Sequence, residues 1–463
     1  MLYLLRTNQI IIQGEDKCQN KGVLKELAQW LKINLYASLI KLLNNIISSN
    51  QFINQHRLHP KAFTRNRSLT FKSVILFLIN LLKSSIQNEL DKFFKTINHS
   101  ELPDRVVTNS AFTQARKKLS HKAFIELNQE QVKYFYDNVD YNRWHGFRLT
   151  AIDGSTLIIP KNEQTIKEFG QYSHSQKTTP VVMARTSQYY DVLNDITIDA
   201  VICPLSIGEL DLATEHLKAA DKDDLLLFDR GYNAFWLFNI MLSEGVNFCV
   251  RINTNWWKAA QELLSSDLRE GIFKIYPTKK SKEKSEELSL PIEPIELRFI
   301  LIELPNGDKE ILGTSLLEKE KYPYEYFADL YHNRWPIEES YKIMKARIEM
   351  ENFTGKSPEA VKQDYHARIF TVNLTSILSF PVNERIKNGK EKKKYVHQLN
   401  WTQAVARMKD SVVLLFIREN IQKIIKILYN HFFKNTEPIR PNRKFPRKPK
   451  PKRHYYMAYK PIS

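Results

Sequence analysis

The sequence predicts an α/β fold in which one mixed central sheet follows an all-helical N-terminal region. Three observations carry this. The first 145 residues place apolar residues at helical spacing and show no clear strand pattern. From about residue 146 the text changes to alternating, β-branched stretches and short apolar runs. Those runs alternate with helical segments in the order strand, strand, strand, helix, strand, helix, strand.

The elements follow in order. Leu24–Ile47 has helical periodicity, as do Ser68–Leu82, Phe93–Ile97, Ser110–Leu119 and His121–Tyr136. Phe147–Ile159 reads as the first strand, and Pro180–Thr186 and Val192–Cys203 as two more, with a turn around Gln188–Asp191. Glu209–Ala220 is helical. Asp224–Phe228 is a buried strand by its run of Leu225, Leu226, Leu227 and Phe228. A helix over Asn233–Ser243 and a buried strand over Val246–Ile252 complete the order, which is that of a ribonuclease H-like core. Residues 254–312 interrupt it with a charged tract, Lys279–Glu287, and strand-like segments at Ile295–Leu304 and Lys309–Thr314. Tyr322–Glu349 and Pro358–Leu378 are helical, and from Lys434 the chain is Pro-rich with ten Lys or Arg against one acid.

Charge narrows the function classes. The net charge of +18 over 463 residues favours a polyanionic partner, nucleic acid or an anionic membrane surface. The apolar stretch Val74–Leu82 is too short to span a bilayer, and Met1–Thr7 has no small-residue cleavage site of a signal peptide. Cys18, Cys203 and Cys249 are scattered and odd in number, which fits a reducing compartment and neither a disulfide framework nor a cysteine zinc site. The expectation is a cytoplasmic protein bound to nucleic acid and not to membrane.

Three carboxylates stand where chemistry is placed in open α/β sheets. Asp153 ends the apolar Leu149–Ile152 and precedes Gly154, and Asp229 ends Leu225–Phe228 and precedes Arg230-Gly231-Tyr232. An Asp before Gly also suits a turn, and Asp229 also suits a helix N-cap. Tyr331, Arg334, Glu338 and Lys345 fall within an arc of about 60° on one helix face, with Pro336 kinking that helix or starting a new one. A carboxylate between Arg and Lys suits a metal ligand beside a phosphate, although a surface helix with i,i+4 pairs has the same composition.

Taken together these residues resemble the DDE transposases of bacterial insertion sequences, the insertion-sequence-four family marked by Tyr-x2-Arg-x3-Glu-x6-Lys. The matching text is Tyr331-His-Asn-Arg334-Trp-Pro-Ile-Glu338-Glu-Ser-Tyr-Lys-Ile-Met-Lys345, with Asp153 in Ala-Ile-Asp-Gly-Ser and Asp229 in Phe-Asp-Arg-Gly-Tyr. The resemblance runs from about residue 105 to 380. It implies a ribonuclease H-like core with a β-strand insertion before the Glu helix, and Mg²⁺ (or Mn²⁺) held by Asp153, Asp229 and Glu338 for two-metal phosphoryl transfer. It implies DNA cleavage at the ends of the element and strand transfer into target DNA, by a homodimer that pairs two ends of double-stranded DNA. Tyr331, Arg334 and Lys345 would hold backbone phosphates, and the bacterial family makes the expected cytoplasmic protein nucleoid-associated. Some relatives place a Trp before the strand leading to the Glu helix; Glu310 stands there, and Trp256 and Trp257 at the start of the insertion read either as its substitute or, the favoured reading, as a buried strand-end pair.

Further DNA contacts are expected from the basic junction Arg116, Lys117 and Lys118 and, through phosphates alone, from tail residues including Arg443 and Arg447. The expected organisation is a helical DNA-binding region (1–145), the first part of the core (146–253), a β-rich insertion (254–315), the second part with the Glu helix (316–380), C-terminal helices (381–433) and the basic tail (434–463). The alternative is a catalytically inactive, transposase-derived DNA-binding protein.

Overall fold

The structure, a computed structural model, describes residues 19–65, 67–173, 180–304, 307–387 and 394–440. Arg443 and Arg447 lie outside these. Six helices come first: α1 (Gln19–Ser48), α2 (Asn50–His56), α3 (Phe71–Leu78), α4 (Ile86–Asn98), α5 (Asn109–Arg116) and α6 (Lys122–Asn138). Thr70 and Thr108 start α3 and α5 by accepting a backbone N–H three residues on, as N-caps do. Among the described residues no helix is long and apolar enough to cross a membrane.

The sheet begins with β1 (Arg148–Ile159). Then come α7 (Glu163–Phe169), the two-residue β2 (Gln171–Tyr172), β3 (Val181–Asp191), β4 (Ile196–Pro204), α8 (Glu209–Leu217), β5 (Asp224–Phe228), α9 (Phe235–Ser243) and β6 (Asn247–Arg251). β3 lies antiparallel to β1, and β4 antiparallel to β3. β5 and β6 run parallel to β1 on its other side, reached through α8 and α9. The resulting order β4-β3-β1-β5-β6 is the ribonuclease H-like arrangement. The turn expected at Gln188–Asp191 lies four residues later, over 192–195. Gln188 and Tyr189 stay in the strand with polar contacts inside: Gln188 Oε1 accepts from Thr197, although its Nε2 has no partner among the described residues, and the Tyr189 hydroxyl donates to Asp224.

The insertion brings α10 (Lys258–Ser265), β7 (Glu270–Ile275), α11 (Lys279–Glu287), β8 (Ile295–Glu303) and β9 (Lys309–Thr314). β9 pairs with β6, β8 with β9 and β7 with β8, so the insertion lengthens the same sheet to nine strands. Arg298 on β8 is fully buried and bonded to Glu270 and the Tyr322 carbonyl, which ties this extension to the chain leading back to the site.

Tyr322–Glu349, expected as helix, is three pieces: α12 (Tyr326–His332), α13 (Pro336–Lys342) and a π-helical turn, Ile343–Arg347. Pro336 occupies the first turn of α13, where its missing N–H costs no bond. After them run α14 (Pro358–Lys387), β10 (His397–Leu399), α15 (Trp401–Ile417), α16 (Ile421–Lys434) and β11 (Thr436–Pro438). α14 packs on α6, α16 and β4, and α1 packs on α6 and α16. One apolar core therefore holds residues from Tyr36 to Phe135 together with Ala367 to Phe432.

Candidate active site

The position of the first two carboxylates follows from strand register. Ala151 on β1 pairs with Leu227 on β5. Asp153 and Asp229 each lie two residues further along parallel neighbours, so they stand level at the rim, on strands spaced about 4.8 Å apart. With side chains alternating, both share the face of Leu149, Ala151, Leu225 and Leu227. That face packs against Tyr331, Ile337 and Tyr341 of α12 and α13.

Two contacts stitch α13 to this rim. The Tyr341 hydroxyl donates to the Asp153 carbonyl at 2.7 Å. Ser340 bonds Gln188 at 3.3 Å, and Gln188 is the β3 residue opposite Asp153. Glu338, in the first turn of α13, accepts from Arg334 Nη2 at 2.6 Å. Arg334 is buried over the rings of Tyr331 and Trp335, and its Nε has no hydrogen-bond partner among the described residues.

Electrostatics brings the three acids into one field. Burial pushes the Asp153 carboxyl up to about 7; Asp229 and Glu338 push it the same way, against the Gly154 N–H and Arg334. Asp229 Oδ1 accepts from the Gly231 N–H at 2.7 Å, so it also caps a short 3-10 turn. Buried hard oxygen donors that disfavour one another's charge are a fitting set for a divalent cation. Among the described residues no three Asp, Glu, His or Cys side chains are yet gathered closely enough to hold one.

Lys345 reaches the site by another route than the even helix face expected. The π-helical turn breaks the 100° phase between Glu338 and Lys345. Lys345 Nζ nevertheless bonds Ser155 Oγ at 2.6 Å, on the same face of β1 as Asp153. Tyr331 is buried, and burial raises its hydroxyl pKa, with Arg334 opposing.

Two expectations fail elsewhere. Arg116 is 3% exposed, and its guanidinium is bonded to Thr354, Gln363, Asp364 and the Ala360 carbonyl, so it joins α5 to α14 and offers nothing to DNA. Lys117 and Lys118 beside it are exposed. Trp256 is 69% exposed and not part of a buried pair, whereas Trp257 packs on Phe238 and Phe299. Glu310 is paired with Arg251 at 2.8 Å.

Sequence reasoning left out Tyr341, Gln188, Arg185 and Glu209. Glu209 lies close against Gly154: a Cβ there would meet its Cδ at 3.0 Å. An acidic residue in the first turn of a helix is ordinary composition, which gave no signal of this placement.

The family model described as the transposase DDE domain matches residues 144–374, a span that contains Asp153, Asp229, Glu338 and Lys345. The transposase InsG for insertion sequence element IS4 of Escherichia coli (strain K12) is 21% identical over 283 residues, 61% of this chain. The match spans 63% of that relative's length. A piggyBac transposase synaptic complex with hairpin DNA, solved by cryo-EM, aligns over 86% of this chain and 85% of its own at 10% identity and a TM-score of 0.43. With three acids at the rim of a ribonuclease H-like sheet inside the matched span, the chain belongs to the DDE transposases of insertion sequences.

Proposed function

We propose that this protein cuts double-stranded DNA at the ends of its insertion element and joins those ends to target DNA, using Mg²⁺ (or Mn²⁺) held by Asp153, Asp229 and Glu338. The observation that carries the reading is the level register of Asp153 and Asp229, with Glu338 in the same field. Bound divalent cations supply activation of the attacking hydroxyl and charge neutralisation on the leaving oxygen.

The chain's own residues do the positioning. Asp153, Asp229 and Glu338 would hold the cation. Arg334, desolvated and lying over Tyr331 and Trp335, would present its guanidinium to a backbone phosphate. Lys345, held at Ser155, neutralises a second phosphate oxygen beside Asp153. Away from the rim, a cleft lined by Lys61, Arg65, Arg67 and Lys118 supports duplex contact, joined by Lys117 and by the tail with Arg443 and Arg447. Two copies act together, each holding one end.

The test is nicking of DNA carrying the element ends. Asp153→Asn, Asp229→Asn and Glu338→Gln are each expected to abolish nicking in Mg²⁺ while DNA affinity stays within a few-fold. Near-normal nicking by one variant removes that residue from the triad. Absence of nicking by the unaltered protein, with binding intact, favours the inactive DNA-binding reading.

A further inference from the structure

Asp153 and Asp229 face α12 and α13; Gly154, the next residue of β1, turns to the opposite side, where α8 packs. Because Gly154 has no side chain, the Glu209 carboxyl lies directly against the strand, 3.0 Å from where a Cβ would stand. Its Oε1 is paired with Arg185 Nη1 at 2.8 Å, and its side chain is 47% exposed.

A second observation points to the same place. Tyr232, which follows Asp229 by three residues, is 1% exposed, and its hydroxyl has no hydrogen-bond partner among the described residues. Burial raises that hydroxyl's pKa most, and after it the charges of Asp153, Glu209 and Asp229, with Arg185 opposing. A buried hydroxyl without a protein partner is rare in folded proteins and calls for one, such as a bound water or ion. Two hard cations that take one or two carboxylates each are also served unevenly by three acids.

We propose that Glu209 is a fourth acidic residue of the cation site, supplying a carboxylate oxygen from the face opposite Glu338, with the Tyr232 hydroxyl bonded beside it. Arg185 holds Glu209 until the cation takes its place. The inference rests on the triad proposed above and deepens it.

The test measures Mn²⁺ binding to the full chain without DNA, by calorimetry, beside thermal melting in EDTA. Glu209→Gln is expected to weaken Mn²⁺ binding by about 10- to 100-fold, the size usual for groups around a metal. Arg185→Met removes the competing cation and is expected to leave binding as tight or tighter. Both should melt in EDTA like the unaltered protein, and Asp153→Asn should lose binding. Unaltered affinity in Glu209→Gln, with binding lost in Asp153→Asn, overturns the role of Glu209 and leaves the triad standing. Equal weakening in Glu209→Gln and Arg185→Met also overturns it, because Glu209 then acts only as the partner of Arg185. Normal binding by Asp153→Asn sinks the triad and this inference with it. If Glu209→Gln melts low in EDTA, Glu209→Asp decides: it keeps the charge and shortens the reach, so weakened binding with normal melting supports the proposal and unchanged binding overturns it.

Discussion

The Arg116 guanidinium is enclosed by acceptors from α14 and the segment before it: Nε to Gln363 at 2.9 Å, Nη1 to Thr354 at 2.7 Å, Nη2 to Asp364 at 2.8 Å. Removing it leaves a buried carboxylate unpaired, so Arg116→Met should cost about 3–5 kcal/mol, read as a lower urea midpoint at unchanged slope. Acid should expose the same pair. Burial opposes ionisation of Asp364, but Arg116, Arg368 and bonds from Thr354 hold its carboxyl below the usual range. A depressed carboxylate contributes its stability in full above its unfolded pKa, about 3.9, and loses it as pH falls through the lower folded value. Urea midpoints measured from pH 6 down should therefore fall less steeply below about pH 4 in Arg116→Met than in the unaltered protein. None of this could be read in the sequence, because the burial of Arg116 is decided by residues some 240 positions later. The placement of Asp153 and Asp229 on neighbouring strands was legible, since each ends an apolar run and precedes a Gly or an Arg-Gly. Glu209 was not, because nothing local says that Gly154 leaves room for it.

At the scale of elements, the Glu segment shows what periodicity can and cannot decide. Pro336 announces a new helix, and α13 begins there. The π-helical turn after Lys342 has no such marker; it comes from packing, with the Met344 side chain buried in the cluster that also holds Ile348 and Tyr365. The register of α13 on the sheet depends on Tyr341. Tyr341→Phe removes one buried hydrogen bond and should cost about 1 kcal/mol in stability. It should slow nicking more than that cost alone implies, because the bond holds the helix of Glu338 to the backbone of Asp153. Equal nicking rates for Tyr341→Phe and the unaltered protein would show that α13 is positioned without it. The strands were read well where alternation or an apolar run is unbroken, and badly at Gln188–Asp191, where polar side chains are paired inside.

For the whole molecule, the helical N-terminal region and the C-terminal helices share one core, and α14 runs between that core and the sheet. The boundaries expected at 145 and 381 mark changes of pattern and do not divide the packing. A fragment of residues 1–145 exposes the faces of α1 and α6 that α16 and α14 cover. It should unfold without a cooperative urea transition, whereas the full chain should show one. A sharp transition in the fragment, seen by circular dichroism, would establish it as a domain of its own. Charge was legible at this scale from composition alone; which basic groups face outward was not, as Arg116 shows.

The pairing of Ala151 with Leu227 also sets what kinds of heritable change the gene can absorb. Substitutions in β1 alter one side chain at a time. A one-codon insertion or deletion between Leu149 and Asp153 instead rotates the carboxylate to the other side of the sheet, beside Tyr232, while Asp229 stays where it was. Changes in length are thus far better tolerated in the connections than inside β1 or β5, even where every inserted residue is a good strand former.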